Sequence, residues 1–334
     1  MSQVITSDWR VRRLDVNPII RPGMHPRIGD NIQGPSLIRV PDWVCSPLGR
    51  YYLYFADHKG DHIRLAYADS LEGPWRIYAP GALSLDESLY PTDVLHAPAN
   101  GQVLPVRPDW APVGTPGIPT QLEDATIPHI ASPDVIVDHG LRQIRMYFHG
   151  LAAFGRQQTR VAISTNGLHF KPRAPLLGPS YFRVFRYRDD HFALVMPGVL
   201  YRSADGLEGF ERGPDLFGDP RQRHSAVWLD GDTLWVFWTR VADIPERIHV
   251  SRIALDGDWT TWRASPPEEL LAPERDWEGG ALPLERSWRS AVAQPVRQLR
   301  DPAVYEEGER LWLLYAVQGE SGIAIAEIAR RAST

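Results

Sequence analysis

The feature that most constrains the fold is a repeated pattern of short strand-like segments separated by turn residues. Thirty prolines and 27 glycines are spread over the 334 residues, which leaves little room for a long uninterrupted helix. An apolar run of β-forming residues is followed by a polar turn, a run rich in aromatic residues, a second turn and a run of small and branched residues. This order is typical of one blade of a β-propeller.

Five such units predict a single all-β domain. They lie at approximately 34–81, 132–175, 181–214, 223–264 and 300–330. The last unit stops before a fourth strand, and we expect the N-terminal segment 9–16 to supply it. Because each strand has two faces that one unit cannot bury alone, neighbouring units must pack together, which favours a closed ring over separate domains. The sequence therefore predicts a five-bladed β-propeller that is closed by its N-terminal strand.

Two segments interrupt the repeat, and we expect them to form walls over one face of the ring. They are residues 82–130, rich in Pro and Gly, and residues 265–299. Loops of this length are uncommon in a compact domain and usually have a function, although disordered insertions are the alternative.

Charge and cysteine content exclude several classes of protein. The chain has 36 Lys and Arg against 41 Asp and Glu, a net charge of −5, and no basic run, so a nucleic-acid partner is not expected. Its only cysteine is Cys45, which rules out an intramolecular disulfide. The N-terminus lacks the apolar region of a secretory signal, and no apolar stretch reaches the ~18–20 residues of a membrane helix. We expect a cytoplasmic protein with no membrane partner, and its oligomeric state stays open.

A propeller collects polar side chains at one mouth of its central channel. The first strand of each blade lines the channel, and its start lies near the end of the second strand. Polar residues at both positions, in otherwise apolar strands, predict a ligand site there. The expected substrate-binding residues are Gln33, Asp57, His58, His149, Arg183, Arg223, Arg240 and Arg300.

Three residues at the same mouth are candidates for acid–base chemistry: Asp134, His224 and Asp301. An inward carboxylate such as Asp134 is costly to bury unless it is paired or functional. Asp301 precedes a proline, so capping a turn is an equal alternative for it. For His58 and His149, a structural hydrogen bond to a backbone carbonyl is the competing explanation.

Three motifs resemble the five-bladed propeller glycosidases, the group around glycoside hydrolase families 43, 62, 32, 117 and 130. They are NPIIRPG (17–23), SPDVIVD (132–138) and RDPAVYEEG (300–308). The resemblance implies a carboxylate base at the start of blade one, a second carboxylate in blade two and an acid, usually Glu, in blade three. Asp134 matches the blade-two residue. Gly34-Pro35 stands where the family often has Asp-Pro, and the blade-three opening SYFRVF has Arg183 and no Glu.

The predicted function is a glycoside hydrolase-like activity on a small or terminal glycan at the channel mouth. Asp134 and Asp301 would supply carboxyl groups, and His224 would act as the acid, since an imidazolium beside a carboxylate holds its proton at neutral pH. Family 117 is similar in using a histidine as the acid. A cationic rim of four arginines would suit an acidic sugar.

Two alternatives remain open from the sequence. One is a carbohydrate-binding propeller that has lost catalysis, because two of the family's three carboxylates are absent from their places. The other is a metal-dependent lyase or isomerase with a divalent metal in the channel, held by histidines among His58, His129, His149 and His224 together with a carboxylate. No close HxH or HExxH spacing supports the metal site. No other cofactor is expected.

Overall fold

A computed structural model describes residues 3–5, 8–99, 104 and 119–330, with backbone only for residues 3–5. Five antiparallel sheets account for nearly all of its regular structure. The strands are β1 (Gln3–Ile5), β2 (Trp9–Arg13), β3 (Gln33–Arg39), β4 (Tyr51–Ala56), β5 (His62–Ala68), β6 (Arg76–Ser84), β7 (Ile130–Asp138), β8 (Gln143–Ala153), β9 (Arg156–Ser164), β10 (Lys171–Pro172), β11 (Arg183–Tyr187), β12 (Asp190–Val195), β13 (Val199–Ser203), β14 (Glu211–Asp215), β15 (Gln222–Asp230), β16 (Thr233–Arg240), β17 (Ile248–Ala254), β18 (Glu268–Leu271), β19 (Arg300–Glu307), β20 (Arg310–Ala316) and β21 (Ile323–Arg330).

The sheets are the blades of a five-bladed β-propeller, which confirms the predicted fold. Blades one to four each consist of four consecutive strands, starting with β3, β7, β11 and β15, and blade five contains β19, β20 and β21. The first strands of successive blades contact each other around a closed ring, ending with β19 against β3. The described helices are one short α-helix, α1 (Gln121–Thr126), and the 3-10 helices Pro26–Ile28, Trp259–Thr261 and Asp276–Glu278. None of these could span a lipid bilayer.

The N-terminal segment closes the ring as predicted. Strand β2 pairs antiparallel with β21 and so completes blade five, and β1 adds a further strand outside it. Arg13 in β2 is buried and donates to both carboxylate oxygens of Glu278, at 2.7 and 3.0 Å. Tyr315 of β20 donates its hydroxyl hydrogen to the same carboxylate at 3.0 Å. A buried ion pair thus joins the closing strand to the 3-10 helix Asp276–Glu278, and the hydroxyl of Tyr315 links the same carboxylate to β20 of blade five.

The apolar core is divided into layers between neighbouring blades. Each of the five buried clusters combines residues of two adjacent blades. Between blades one and two, for example, Tyr52 and Tyr54 share a cluster with Met146 and Phe148. Since each blade buries both faces only against its two neighbours, no blade has a core of its own, which is the physical reason for the closed ring.

The outer strand of blade four lies further along the chain than the sequence indicated. The fourth unit was expected to end at residue 264, but its last residues contain the 3-10 helix Trp259–Thr261. The outer strand is β18, inside the segment 265–299 that was expected to interrupt the repeat. Asp258 caps the helix by accepting from the backbone N–H of Thr260 at 3.0 Å. Trp262 then packs on Phe192 of blade three instead of continuing the sheet. In the first insertion, residues 100–103 and 105–118 lie outside the described part of the chain.

Candidate functional site

A pocket of about 140 Å³ lies where the first strands of the blades begin. Four blades contribute lining residues from these starts: Gln33, Ser132, Tyr181, Arg223 and His224. Both interrupting segments also reach the pocket, the first through Asp124 of α1 and the second through Arg289 and Ser290. Side chains that are far apart in the sequence therefore share one opening over the channel.

Several residues around this opening have a left-handed backbone conformation. Gly34, Ser132, Tyr181 and Asp301 have positive φ values of 62°, 52°, 73° and 46°, and each stands close to the start of the first strand of its blade. The first strands of four blades also have an irregular register at this point. A left-handed conformation is unfavourable for a bulky residue such as Tyr181, and strain of this kind clusters at functional sites. Bulges there turn side chains away from the regular alternation of the strand.

Asp301 is the most unusual carboxyl group at the mouth. Its side chain is 1% exposed, and neither oxygen has a hydrogen-bond partner. Its Oδ1 lies 3.4 Å from Nδ1 of His224. Burial, together with the negative charge of Glu320, raises the pKa of Asp301 well above its ordinary value. Asp301 is therefore held as a neutral carboxylic acid, directly behind a residue that lines the pocket.

His224 is held in the neutral form, which opposes its expected role as the acid. Nε and Nη2 of Arg223 both point at its Nε2, at 3.1 and 3.0 Å. A guanidinium can only donate, so Nε2 accepts from Arg223. Nδ1 lies 3.4 Å from both the backbone N–H and Oδ1 of Asp301. Burial and the charges of Arg223 and Arg300 lower the pKa of His224 well below its ordinary value. Because burial raises the pKa of Asp301 and lowers that of His224, the arrangement favours Asp301 over His224 as the proton donor of this pair.

Tyr181 lines the pocket and packs against His224 and Arg183. Its ring stacks on His224 with centroids 4.8 Å apart, and the guanidinium of Arg183 lies 4.8 Å from the ring centroid. Its hydroxyl group is buried and has no hydrogen-bond partner. His149, which also lines the pocket, has an unpartnered Nδ1, and burial and the neighbouring His129 lower its pKa well below the ordinary value. Polar atoms of this kind are available to a ligand.

Asp124 is a pocket carboxylate that the sequence did not identify. It lies in the first interrupting segment, next to Glu123. The structure separates the two residues: Glu123 completes the capping box of α1 with Thr120, whereas Asp124 lines the pocket. Its Oδ1 forms an ion pair with Lys59 at 3.1 Å, and Ser290 donates to its Oδ2 at 3.2 Å. No local pattern distinguishes the two acids before the path of the insertion is known.

A buried ion network supports the pocket from below. Arg300 is fully buried and donates to Glu320 at 2.7 Å and to Gln298 at 2.6 Å. Glu320 also accepts from Asn31 at 2.7 Å, and Nδ1 of His58 lies 3.6 Å away. Burial alone would raise the pKa of Glu320, but His58 and Arg300 hold it far below its ordinary value. The network fixes His58, which lines the pocket.

Five of the residues predicted for the mouth line the pocket: Gln33, His58, His149, Arg223 and His224. Asp301 lies against His224, as described above. Asp134 is half-buried but does not line the pocket. Its Oδ2 accepts from the backbone N–H of Val184 at 2.8 Å, and burial raises its pKa despite the charge of Arg183.

Four predicted substrate-binding residues are committed to other contacts. Asp57 accepts from Arg64 and from the backbone of its own hairpin turn. Arg183 donates to backbone carbonyls of three blades, including that of Ser225 at 2.8 Å. Arg240 pairs with Asp243 at 2.9 Å, away from the pocket, and Arg300 is enclosed in the network below it. The expected four-arginine rim is therefore wrong. Of its members only Arg223 lines the pocket, with Arg289, which the sequence did not single out.

The histidines around the pocket do not form a metal site. Within the described residues, no group of three or more His, Cys, Asp or Glu side chains is placed to hold a metal ion. Nδ1 of His129 lies 2.7 Å from the carbonyl oxygen of Ile127, and its Nε2 faces the amide of Gln157 at 3.3 Å. Nε2 of His224 is occupied by Arg223. The donor set therefore does not fit the divalent metal considered from the sequence.

A second depression, of about 420 Å³, is lined by Arg21, Asp30 and Trp277. None of its described lining residues has a buried polar side-chain atom without a partner. We therefore place the candidate site in the smaller pocket, where such atoms are found.

Comparisons with known proteins agree with this architecture. No family model matches the chain. The uncharacterized protein R118 of Acanthamoeba polyphaga mimivirus is 33% identical over 323 residues, which cover 89% of this chain and 83% of that protein. A solved structure from the GH130 family of mannoside phosphorylases superposes on this chain with a TM-score of 0.61. Its identity is 12%, and the match covers 98% of this chain and 96% of that one. That family is described as containing glycoside hydrolases that target β-1,2 mannosidic linkages in Candida mannan.

Two further solved structures show the same similarity. A glycosyl hydrolase from Bacteroides ovatus has a TM-score of 0.59 at 11% identity, covering 95% of this chain and 92% of that one. A thermostable family-43 glycoside hydrolase has a TM-score of 0.52 at 14% identity, covering 91% and 90%. At these identities the likeness concerns the fold. The chain has the fold of the five-bladed propeller glycosidases, as its motifs implied, and it belongs to the same family as the mimivirus protein R118.

Proposed function

We propose that the protein is a glycosidase that hydrolyses the O-glycosyl bond of a small or terminal sugar bound in the mouth pocket. The observation that carries the proposal is Asp301, a buried carboxylic acid with two unpartnered oxygens beside the pocket. The glycosidase-like fold supports the same class of reaction. The pocket volume of about 140 Å³ is close to the ~150 Å³ cavity that accepts a benzene ring. A hexose is larger than benzene, so the pocket can enclose no more than part of one sugar, which favours action on a chain end.

Asp301 is the proton donor in this proposal. A general acid must hold its proton at the working pH, and burial of Asp301 provides that condition. The sugar has to place its leaving oxygen within hydrogen-bond reach of this carboxyl, next to His224. Catalytic hydrogen bonds are often long in the free enzyme and shorten in the complex.

Asp124 is the opposing carboxylate. It lines the pocket from α1, on a wall formed by the first insertion, whereas Asp301 of β19 lies behind His224. Glycoside hydrolysis needs a base or nucleophile across the sugar from the acid. Lys59 and Ser290 orient Asp124 for that role through the contacts given above.

The test compares D301N and D124N with the wild type on a panel of neutral and uronic nitrophenyl glycosides. D134N is the matched control, because Asp134 is a carboxyl of a first strand outside the pocket and an Asn side chain can still accept from Val184. We expect D301N and D124N to lower kcat/KM by about 100-fold or more, and D134N to stay near the wild-type value. Wild-type turnover by D301N, or no turnover of any glycoside by the wild type, would overturn the proposal.

A carbohydrate-binding propeller without catalysis is the second candidate. It is favoured by Gly34 and Arg183, which occupy the places where the related glycosidases have carboxylates. Arg183 is tied to backbone carbonyl groups. Binding of a sugar by calorimetry, with no release of reducing ends after prolonged incubation, would support this function instead.

A further inference from the structure

The mouth pocket is lined almost entirely by side chains that can form hydrogen bonds. Of its described lining residues, only Ala131 and Met196 have no nitrogen or oxygen atom in the side chain. A lining of this kind suits a ligand that carries several hydroxyl groups. Which of the lining groups such a ligand can use depends on the partners that they already have within the protein.

The carboxylate and guanidinium groups of the lining already have partners. Asp124 pairs with Lys59 at 3.1 Å, and Arg223 lies 3.6 Å from Glu246. Arg289 donates to a backbone carbonyl group at 3.1 Å. A ligand that was recognised by its charge would therefore have to share or break contacts that exist without it.

Tyr181 and His149 differ from these groups, because each has a buried polar atom without a partner. The two side chains are 7% and 6% exposed and line the same pocket. The hydroxyl group of Tyr181 and Nδ1 of His149 have no hydrogen-bond partner within the described part of the chain. Their rings are neighbours, with centroids 5.9 Å apart. Two adjacent side chains of the pocket are thus open to a ligand.

Both open groups are uncharged and match a hydroxyl group. A tyrosine hydroxyl donates and accepts, and a neutral imidazole has one donor and one acceptor nitrogen. His149 is neutral because burial and the neighbouring His129 lower its pKa well below the ordinary value. A sugar hydroxyl also donates and accepts, so it can satisfy Tyr181 and either tautomer of His149. Each buried atom costs free energy until a ligand supplies its hydrogen bond.

Packing on both rings fixes the position of these groups. His224 stacks on the ring of Tyr181, and the guanidinium of Arg183 lies 4.8 Å from the centroid of that ring. His129 packs edge-on against His149, with centroids 6.2 Å apart. Because neither ring is free to turn towards another partner, a ligand has to place its hydroxyl groups where the two polar atoms lie.

We propose that Tyr181 and His149 determine the specificity of the mouth pocket, each by a hydrogen bond to a different hydroxyl group of the bound sugar. A deoxy sugar that lacks one of these hydroxyl groups leaves a buried polar atom without a partner, so the pocket rejects it. The inference rests on the proposed function in taking the ligand to be a sugar. It adds which residues select the sugar and by which of its groups.

The test is calorimetric binding of free sugars, which needs no turnover. The probes are glucose, galactose, mannose, xylose and arabinose, together with the monodeoxy forms of each sugar that binds. We expect at least two deoxy forms of one sugar to bind about tenfold or more weakly than the parent sugar. One of these losses should disappear in Y181F, because phenylalanine has no polar atom to satisfy, and the other should disappear in H149F for the same reason.

Y187F is the matched control. Tyr187 lies in β11 of the same blade and is also 7% exposed, but its hydroxyl group donates to Asp232 at 2.6 Å. Y187F should leave sugar binding unchanged and lower the urea concentration at which half of the ligand-free protein is unfolded. Y181F should instead raise that concentration and weaken binding of the parent sugar. A tyrosine with a purely structural role would not give this combination.

The proposal is overturned if none of these sugars binds, if every deoxy form binds as tightly as its parent, or if folded Y181F or H149F keeps both losses. Should H149F fail to fold, the comparison with Y181F decides by itself. The outcomes also separate this inference from the glycosidase function. Discrimination against deoxy sugars without hydrolysis of any glycoside would reject the function alone. Hydrolysis of a glycoside whose free sugar binds no more tightly than its deoxy forms would reject the inference alone.

Discussion

Replacing Asp301 by Asn should make the protein more stable, increasingly so as the pH rises. The carboxyl group is buried without a hydrogen-bond partner, and its pKa in the folded protein is raised well above the ordinary value. In the unfolded chain an aspartate ionises near pH ~3.9. Between these two pKa values the folded protein keeps a proton that the unfolded chain releases, so this group lowers the free energy of unfolding as pH increases.

The magnitude follows from linkage. When the folded protein binds one proton more than the unfolded chain, the free energy of unfolding falls by about 1.4 kcal/mol per pH unit. At pH values below the pKa in the unfolded chain, both states are protonated and the slope is zero. At pH values above the pKa in the folded protein, both states are ionised and the free energy of unfolding decreases no further. An asparagine side chain cannot ionise, so the slope is absent in D301N. Asparagine is also among the residues that tolerate a left-handed backbone, so the φ of 46° at this position is retained.

The assay is urea unfolding of both proteins in matched buffers from pH 4 to 8. The difference in unfolding free energy between D301N and wild type should grow with pH by up to about 1.4 kcal/mol per unit. D134N serves as comparison, because the pKa of Asp134 is raised by burial but restrained by Arg183 and the Val184 N–H, and its effect should be smaller. Parallel stability curves for D301N and wild type would show that Asp301 is ionised in the folded protein and would refute the reasoning.

Three other substitutions test the pocket and the ring closure. Tyr181→Phe removes a buried hydroxyl without a partner, so it should raise the unfolding free energy of the ligand-free protein by about 1 kcal/mol, measured by urea unfolding; a loss of stability would mean that the hydroxyl is already satisfied. Glu278→Gln breaks the buried pair with Arg13 and should cost about 3–5 kcal/mol. Glu274→Gln, at a half-exposed partner of the same arginine, should cost less than about 1 kcal/mol, and equal losses for the two variants would contradict the closure argument.

The fold could be predicted because the blade pattern is local. Each strand has its own apolar alternation and each turn its own glycine, proline or aspartate, so the repeat is visible without long-range information. The outer strand of blade four could not be placed, because the aromatic residues of 258–264 look like a strand. The Asp258 cap and the packing of Trp262 on the neighbouring blade outweigh that local preference.

The site could be predicted only in part. The starts of the first strands must meet at the channel mouth, which brings Asp301 to His224 as expected. The arginines are indistinguishable in sequence, however, and their roles depend on partners far along the chain: Arg300 is held by Glu320, whereas Arg223 faces the pocket. A long loop also carries no periodic signal that would reveal which of its residues returns to the mouth.

The most direct test of the account is the crystal structure of D301N with a bound glycoside that the wild type hydrolyses. The account predicts the sugar in the mouth pocket, with its glycosidic oxygen next to residue 301 and Asp124 on the opposite side of the sugar. A sugar found in the depression beside Trp277, or on an outer strand of a blade, would contradict it.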